Sequence, residues 1–159
     1  MQVICGWCDH TIGGNGVGSL SHGLCLSCLP TILELSVESI RDMTPSQRDV
    51  LPYGFIRLDY KDRVLEYNLA ESKLARVDPQ RVLGLHFFRD VAPCTNVKAL
   101  AGWVASTRSR DKMDKTSLRF VFEFTFGREL VLLLLSYDPR TRCTDIVVKS
   151  ESEEGLLPS

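Results

Sequence analysis

The amino-acid sequence predicts an α+β fold: a five-stranded antiparallel sheet with helices on one face, preceded by a small module built around four cysteines. Two observations predict the domain. Apolar residues alternate with a period of two around residues 55–67 and again after residue 117, and the segment between them holds short helical patterns punctuated by Pro and Gly. Strands grouped on either side of a helical segment are typical of α+β domains. The module is predicted because four of the six cysteines lie in the first 28 residues.

The composition fits one packed domain with a small appendage: 159 residues, 44% hydrophobic and 25% charged. Because 19 Lys and Arg residues balance 20 Asp and Glu residues, we expect no general attraction to nucleic acid or to an anionic membrane. No apolar run reaches the roughly 18 to 20 residues that span a bilayer, and the first residues lack the basic and apolar regions of a secretion signal. We therefore expect a cytoplasmic protein.

The N-terminal cysteines form two C-x-x-C pairs, Cys5 with Cys8 and Cys25 with Cys28. Their separation is close to that of a four-thiolate zinc site, in which each pair places two sulfurs on one ion through a tight turn. In a reducing compartment, closely spaced pairs favour metal ligation over disulfides. Residues 1–30 are thus predicted to form a zinc-ribbon-like module whose structural zinc is held by all four thiolates.

Alternatives to this zinc site stay open. His10 or His22 could serve as a ligand, and the paired thiols could instead form a redox switch, since C-x-x-C motifs can have lowered thiol pKa values. Haem attachment is not expected, because Asp9 stands where a His would be required. Residues 1–30 contain no Lys or Arg, and phosphate contacts need cations. We therefore expect a structural or partner-binding module, not a DNA-binding one.

A helical connector is predicted over residues 31–50. Apolar residues from Ile32 to Ile40 are spaced roughly as one helix face, and Thr44 and Pro45 suit the N-cap and first position of a second, short helix. An amphipathic connector of this kind could join two copies of the chain as a homodimer. Residues 151–159 are predicted to form a flexible acidic tail.

Residues 51–150 are predicted to form the main domain. A β-hairpin is expected from Phe55 to Tyr67, then several short helical segments, then a longer helix around residues 96–109. Three further strands are expected over residues 118–126, 130–137 and 143–149, the first two joined by a tight turn at Gly127 and Arg128.

Four segments of this domain resemble photoactive yellow protein, a light-sensing family with the PAS fold. They read YGFIRLD at residues 53–59, LEYNLAE at 65–71, DPQRVLG at 78–84 and FFRDVAPCT at 87–95, and FEFTF at 122–126 extends the likeness more loosely. The resemblance implies a PAS domain that acts in sensory signal transduction. It also implies a downstream signalling protein as partner, because no output element is recognisable in this chain.

In the family that this sequence resembles, 4-hydroxycinnamic acid is attached as a thioester to the Cys of the last segment, which falls on Cys94. The Tyr and Glu that bind the chromophore's phenolate fall on Tyr67 and Glu71. The resemblance therefore implies a blue-light photoreceptor in which Glu71 is protonated in the dark and gives up its proton after illumination. The carboxylate left behind would be buried and unpaired, and its cost would drive the signal.

The sequence also departs from this family. Ala75 and Val77 stand where the relatives usually have Thr and Arg, and the loop that covers the chromophore is replaced by the short segment 126–130. A PAS domain without a chromophore, acting as an adaptor between proteins, is therefore the alternative function. We expect no enzyme, because a Cys94 nucleophile with His86 as its base would lack a recognisable oxyanion site.

Overall fold

The computed structural model describes residues 38–150 in full, and the backbone of residue 37 and of three short N-terminal strands, 2–5, 11–14 and 20–23. Within these residues, no helix is long and apolar enough to cross a membrane. The predicted acidic tail, residues 151–159, and most of the predicted module of residues 1–30 lie outside the described residues.

The N-terminal strands are β1 (Gln2–Cys5), β2 (Thr11–Gly14) and β3 (Leu20–Gly23). They form a small sheet with β1 in the centre, antiparallel to β2 and parallel to β3. Cys5 is the last residue of β1, whereas Cys8, Cys25 and Cys28 lie outside the described residues. The predicted arrangement of four thiolates therefore stays a prediction.

Two short helices follow, α1 (Val37–Arg41) and α2 (Pro45–Asp49). The predicted start of α2 is confirmed: Thr44 Oγ1 accepts a hydrogen bond from Gln47 N at 3.2 Å, and Gln47 Oε1 accepts one from Thr44 N at 3.0 Å. This reciprocal capping satisfies two backbone donors at the helix start. The earlier part of the predicted connector, residues 31–36, lies outside the described residues.

The main sheet is five-stranded and antiparallel throughout, as predicted, with the order β5-β4-β8-β7-β6. The hairpin expected between Phe55 and Tyr67 forms β4 and β5. The last strand, β8, lies in the centre of the sheet between β4 and β7. The strands are β4 (Gly54–Leu58), β5 (Val64–Tyr67), β6 (Asp114–Phe124), β7 (Gly127–Asp138) and β8 (Cys143–Ser150).

The chain between β5 and β6 is helical and covers one face of the sheet. Its longest regular element, α5, is shorter than the helix predicted over residues 96–109, because a π-helical turn precedes it. The elements are α3 (Leu69–Ala75), α4 (Pro79–Val82), a π-helical turn (Phe87–Val91), a 3₁₀ turn (Pro93–Thr95), a second π-helical turn (Lys98–Gly102) and α5 (Trp103–Arg110).

The predicted bounds of β6 and β7 were too narrow, and their turn was misplaced. β6 begins at Asp114, since Asp114 pairs with Tyr137, and the pairing continues without a shift to Phe124 opposite Gly127. The turn is therefore formed by Thr125 and Phe126, and Gly127, at φ 150°, already belongs to β7.

The sheet buries apolar side chains on both faces. Its larger core lies beneath the helical segment and includes Ile56 and Leu133, whereas a second, smaller core on the opposite face includes Phe55 and Val147. Adjacent strand residues point to opposite faces, which is why Phe55 and Ile56 lie in different cores. Ile40 and Met43, from and just after α1, complete the second core. The helices are thus not all on one face: α1 packs on the face opposite to α3.

Candidate functional site

Tyr67 and Glu71 are brought to one place by the junction between β5 and α3. Tyr67 is the last residue of β5, and Glu71 lies in the first turn of α3, one helical turn later along the chain. Both side chains are buried, at 7% and 2% exposure. Burial excludes the simpler interpretation of Glu71 as a solvated helix residue.

Asn68 forms this junction. Its backbone is extended, at φ −82° and ψ 173°, and its Oδ1 accepts a hydrogen bond from Glu71 N at 3.1 Å, which makes it the N-cap of α3. The same oxygen accepts a bond from Phe55 N at 2.9 Å. Its Nδ2 donates to Arg48 O at 2.9 Å and to Tyr53 O at 3.0 Å. Asn68 therefore fixes the helix that carries Glu71 to the strand beside it.

The two side chains line a cavity of about 50 Å³ in the larger core. Their hydroxyl and carboxyl are the polar side-chain groups of a lining that is otherwise apolar. Its walls come from β5, α3 and the segment after it, the first π-helical turn and β6. The lining residues are Tyr67, Glu71, Ala75, Val77, Phe87, Val91, Ala92, Phe122 and Phe124.

One oxygen of the Glu71 carboxyl has no compensating partner among the described residues. This oxygen, Oε2, is buried without a hydrogen bond. Burial alone raises the pKa of Glu71 to about 8, because desolvation disfavours the carboxylate. The pKa of the Tyr67 hydroxyl is also raised, first by burial and then by the nearby charge of ionised Glu71. At neutral pH both groups therefore keep their protons and can donate hydrogen bonds.

Gly54 leaves room for this carboxyl. A Cβ atom added at Gly54 would overlap Glu71 Oε2 and would lie 3.0 Å from Val148 Cβ. Any side chain at residue 54 would therefore displace Glu71 or the central strand β8.

Cys94 lies beside the cavity without lining it. It belongs to the 3₁₀ turn directly after Ala92, is half-buried, packs against the larger core and has a free thiol. The turn is held by Thr95, which is fully buried and whose N donates to Ala92 O at 2.9 Å. The cavity therefore has its two proton donors beside the junction of β5 and α3, and at Ala92 its lining reaches to within two residues of Cys94 along the chain.

Ala75 and Val77 both line the cavity, so the departures from the family pattern give it apolar walls where a hydroxyl and a cation were expected. The two-residue turn between β6 and β7 leaves Phe126 44% exposed, stacked on Phe124 at 4.9 Å between ring centroids. The Arg76 guanidinium lies 3.9 Å from the centre of the Phe126 ring. An arginine is thus present near the end of the cavity, but it points at an aromatic face.

His86 lies away from the described cavity lining, next to Asp62 and Arg108. Its Nε2 is 3.8 Å from Asp62 Oδ2, and Arg108 Nη2 donates to Asp62 Oδ1. His86 thus links the segment before the first π-helical turn to the β4–β5 turn. Cys143 is the half-buried first residue of β8.

No metal site is present among the residues that the structure describes, since no group of three or more His, Cys, Asp and Glu side chains comes together there.

Sequence reasoning missed Asn68 and Gly54 as site residues. The pattern Asn-x-x-Glu before an apolar helix is typical of a helix start and could have identified Asn68 as a cap. Gly54 could not have been found, because its role depends on how closely α3 approaches β4.

The chain was compared with known protein families and with known proteins. No family model matches the chain. It is 36% identical over 92 residues to photoactive yellow protein from Rhodothalassium salexigens, and 34% identical over 92 residues to that from Halochromatium salexigens. Each match covers 58% of this chain and 70% of the relative.

Among solved structures, the photoactive yellow protein domain of the sensor histidine kinase Ppr from Rhodospirillum centenum matches with a TM-score of 0.65 and 30% identity. The match covers 70% of this chain and 97% of that domain. A PAS domain of an HTR-like protein from Haloarcula marismortui matches with a TM-score of 0.50 and 16% identity, a likeness of fold alone. The chain has the PAS fold and belongs to the photoactive yellow protein family.

Proposed function

We propose that this protein is a blue-light sensor that carries a 4-hydroxycinnamoyl group as a thioester on Cys94 and relays its signal to a partner protein. The observation that supports the proposal best is the cavity where Tyr67 and Glu71 meet in the core, with Glu71 Oε2 buried and unpartnered. A buried carboxyl without a partner costs stability, so its presence favours a ligand that accepts its hydrogen bond.

The donors fit such a ligand. A phenolate oxygen needs hydrogen-bond donors in an apolar site, and the Tyr67 hydroxyl and the protonated Glu71 carboxyl are donors from two residues that line this cavity. The described cavity of about 50 Å³ is smaller than a 4-hydroxycinnamoyl group. Binding therefore requires the wall to open, and we expect the half-buried Phe124, next to the short β6–β7 turn, to move outward.

When bound, the group would supply a double bond that isomerises on absorbing light and a phenolate that then takes up a proton. Glu71 would hold the proton in the dark and release it toward the phenolate. The carboxylate so formed would lie between Gly54 and the cavity without a cation, since Val77 stands where the relatives have an arginine. Its desolvation cost would push α3 away from β4, and this displacement would be the signal.

The test is reconstitution of the apoprotein with the activated anhydride of 4-hydroxycinnamic acid. We expect a visible absorption band, and a mass increase that peptide mapping assigns to Cys94. Cys94→Ala should abolish the band, whereas Cys143→Ala, which changes another half-buried thiol, should leave it intact. Absence of both the band and the mass increase at Cys94 would contradict the photoreceptor.

The second candidate is a chromophore-free PAS adaptor between proteins. The apolar walls at Ala75 and Val77 and the small cavity favour it. In this case the signalling partner would be recognised by the surface of the domain. A homodimer through residues 31–50 stays a prediction, although Ile40 and Met43 are already buried against the sheet of their own chain.

A structural zinc ion bound by Cys5, Cys8, Cys25 and Cys28 is proposed from the spacing of these residues alone. Elemental analysis of the purified chain should find one zinc ion per chain, and the double variant Cys25→Ser/Cys28→Ser should lose it, while Cys143→Ser should not. Metal-free wild-type protein would leave the redox switch as the better hypothesis.

A further inference from the structure

The two edge strands of the main sheet, β5 and β6, differ in whether another part of the chain forms hydrogen bonds with them. At the β5 edge, the segment before the first π-helical turn supplies hydrogen bonds: Gly84 N donates to Val64 O at 2.8 Å, and Val64 N donates to Leu85 O at 3.0 Å. Phe87 N extends this contact by donating to Asp62 O at 2.8 Å. The beginning of the β5 edge, at Val64, is therefore paired within the protein itself.

The β6 edge has no such cover among the described residues, where β6 pairs with β7 alone. It is also the longer edge, with 11 residues against 4 in β5, and it contains neither a proline nor a shift in register. A long, regular edge strand presents a row of backbone groups that can pair with another strand. Natural proteins usually interrupt such an edge, so an uninterrupted one indicates a binding surface.

The side chains of β6 alternate strictly between the two faces. Leu118, Phe120, Phe122 and Phe124 pack against the larger core, with the rings of Phe120 and Phe122 5.6 Å apart. On the other face, Val121 is 44% exposed and pairs with Leu130 of β7, which is 43% exposed. Charged residues flank this apolar pair, with Arg119 on one side of Val121 and Glu123 on the other.

We propose that two copies of this chain associate by antiparallel pairing of their β6 strands about a two-fold axis at Val121. With Val121 opposite Val121 of the second copy, each Arg119 faces Glu123 of the other copy. On the core face, each Phe120 faces Phe122 of the other copy. Opposite charges and aromatic pairs at directly opposed positions both stabilise antiparallel strands.

Charge selects this register over its neighbours. A two-fold axis at Arg119 would oppose two arginines, and an axis at Glu123 would oppose two carboxylates. An axis at Phe120 or Phe122 would place Arg119 opposite Val121 or Thr125 and would lose both ion pairs. Both residues already have contacts within their own chain: Arg119 has a partner there, and Glu123 contacts Arg128 at 3.3 Å. Pairing between copies would exchange these contacts, and the mostly exposed pair with Arg128 holds Glu123 only weakly.

This pairing would bury the exposed apolar residues and would leave no equivalent edge for a third copy to bind. The two Val121 side chains would meet at the interface, with a Leu130 side chain on the outer side of each. These four residues would form one apolar row across the four strands β7 and β6 of one copy and β6 and β7 of the other. A two-fold interface uses the same edge of both copies, and the other edge of each sheet, β5, is only four residues long with Val64 already paired within its own chain. The product is therefore a closed dimer with a ten-stranded sheet, and not a filament.

Charge reversal tests the register in the full 159-residue chain. Sedimentation at a series of concentrations should show a monomer–dimer equilibrium for the wild type. Arg119→Glu and Glu123→Arg should each weaken the dimer by at least about tenfold. Either change replaces both ion pairs of the dimer by pairs of like charges. The double variant should restore it, and mixing the two single variants should give a heterodimer.

Lys115→Glu is the matched control, because it reverses a charge on the same face of β6 but faces no charged residue of the second copy in this register. Circular dichroism and thermal unfolding of each variant establish that the fold is kept. A monomeric wild type would overturn the proposal. So would a dimer that the single reversals leave unchanged, or one that the double variant fails to restore.

Discussion

At the scale of the residue, Glu71 is the least compensated group in the described part of the larger core. Its Oε2 has no hydrogen bond among the described residues, and it lies against Gly54 in a cavity whose other walls are mostly apolar. The folded protein accommodates it by keeping it neutral, which the raised pKa of about 8 expresses. Because Glu71 ionises at a different pH in the folded and unfolded protein, the stability of the fold should depend on pH.

We expect the free energy of unfolding to fall as the pH rises from about 5 toward 8. The folded protein keeps the Glu71 proton up to its pKa of about 8, whereas the unfolded chain loses it near the ordinary value, so the stabilisation is complete below the ordinary pKa and is lost above it. The slope should approach about 1.4 kcal/mol per pH unit. Urea unfolding of the apoprotein at several pH values measures it.

Glu71→Gln should remove this slope, because the amide is neutral at every pH and has nearly the same shape. Glu38→Gln, which changes an exposed carboxyl paired with Lys115, should keep it. Parallel curves for the wild type and Glu71→Gln would mean that Glu71 is ionised in the folded protein.

At the scale of the element, Arg48 joins α1 and α2 to the outer face of the sheet, in addition to the apolar contacts of Ile40 and Met43. The Arg48 side chain is 4% exposed. Its Nε donates to Glu66 Oε1 at 3.0 Å, and its Nη1 donates to Arg41 O at 3.3 Å and to Met43 O. Its guanidinium also lies 5.6 Å from the centre of the Phe55 ring. One arginine thus joins the end of α1, the turn after it and the sheet.

Arg48→Ala should lower the free energy of unfolding by about 3 kcal/mol, because it leaves buried carbonyl groups and part of the Glu66 carboxylate without their partner. Arg48→Lys should recover only part of the loss, since an ammonium cannot reach all these acceptors at once. Chemical unfolding measures both.

Arg110→Ala is the control, because its pair with Asp114 at 3.4 Å is exposed and should contribute less than about 0.5 kcal/mol. Equal losses for the Arg48 and Arg110 variants would contradict the role of Arg48.

At the scale of the whole molecule, local patterns predicted the strands and the order of elements, but not how distant elements meet. Alternation around Phe55 predicted β4, and Thr44 with Pro45 predicted the start of α2. The insertion of β8 between β4 and β7 depends on contacts between residues far apart in the chain, which no local period encodes. For the same reason, the packing of α1 on the outer face was not foreseen.

The start of β6 is a second feature that the sequence pattern did not predict. Asp114 and Lys115 are polar and resemble a loop in the sequence, yet they pair with Tyr137 and Ser136, because an edge strand tolerates exposed charge on both residues. At the site, the resemblance predicted Tyr67, Glu71 and Cys94 as candidates. The missing partner of Glu71 and the small size of the cavity follow from three-dimensional packing and could be learned from the structure alone.

The hydrogen bonds of Asn68 have a consequence for how a signal could leave the core. The Asn68 side chain is hydrogen-bonded both to Glu71 N, in the first turn of α3, and to Arg48 O. Arg48 belongs to the layer on the opposite face of the sheet. A movement of α3 must therefore stretch these bonds or carry the carbonyl of Arg48 with it. A displacement of α3 could therefore reach the outer layer through a single asparagine side chain, and it would act on β4 at Phe55 on the way.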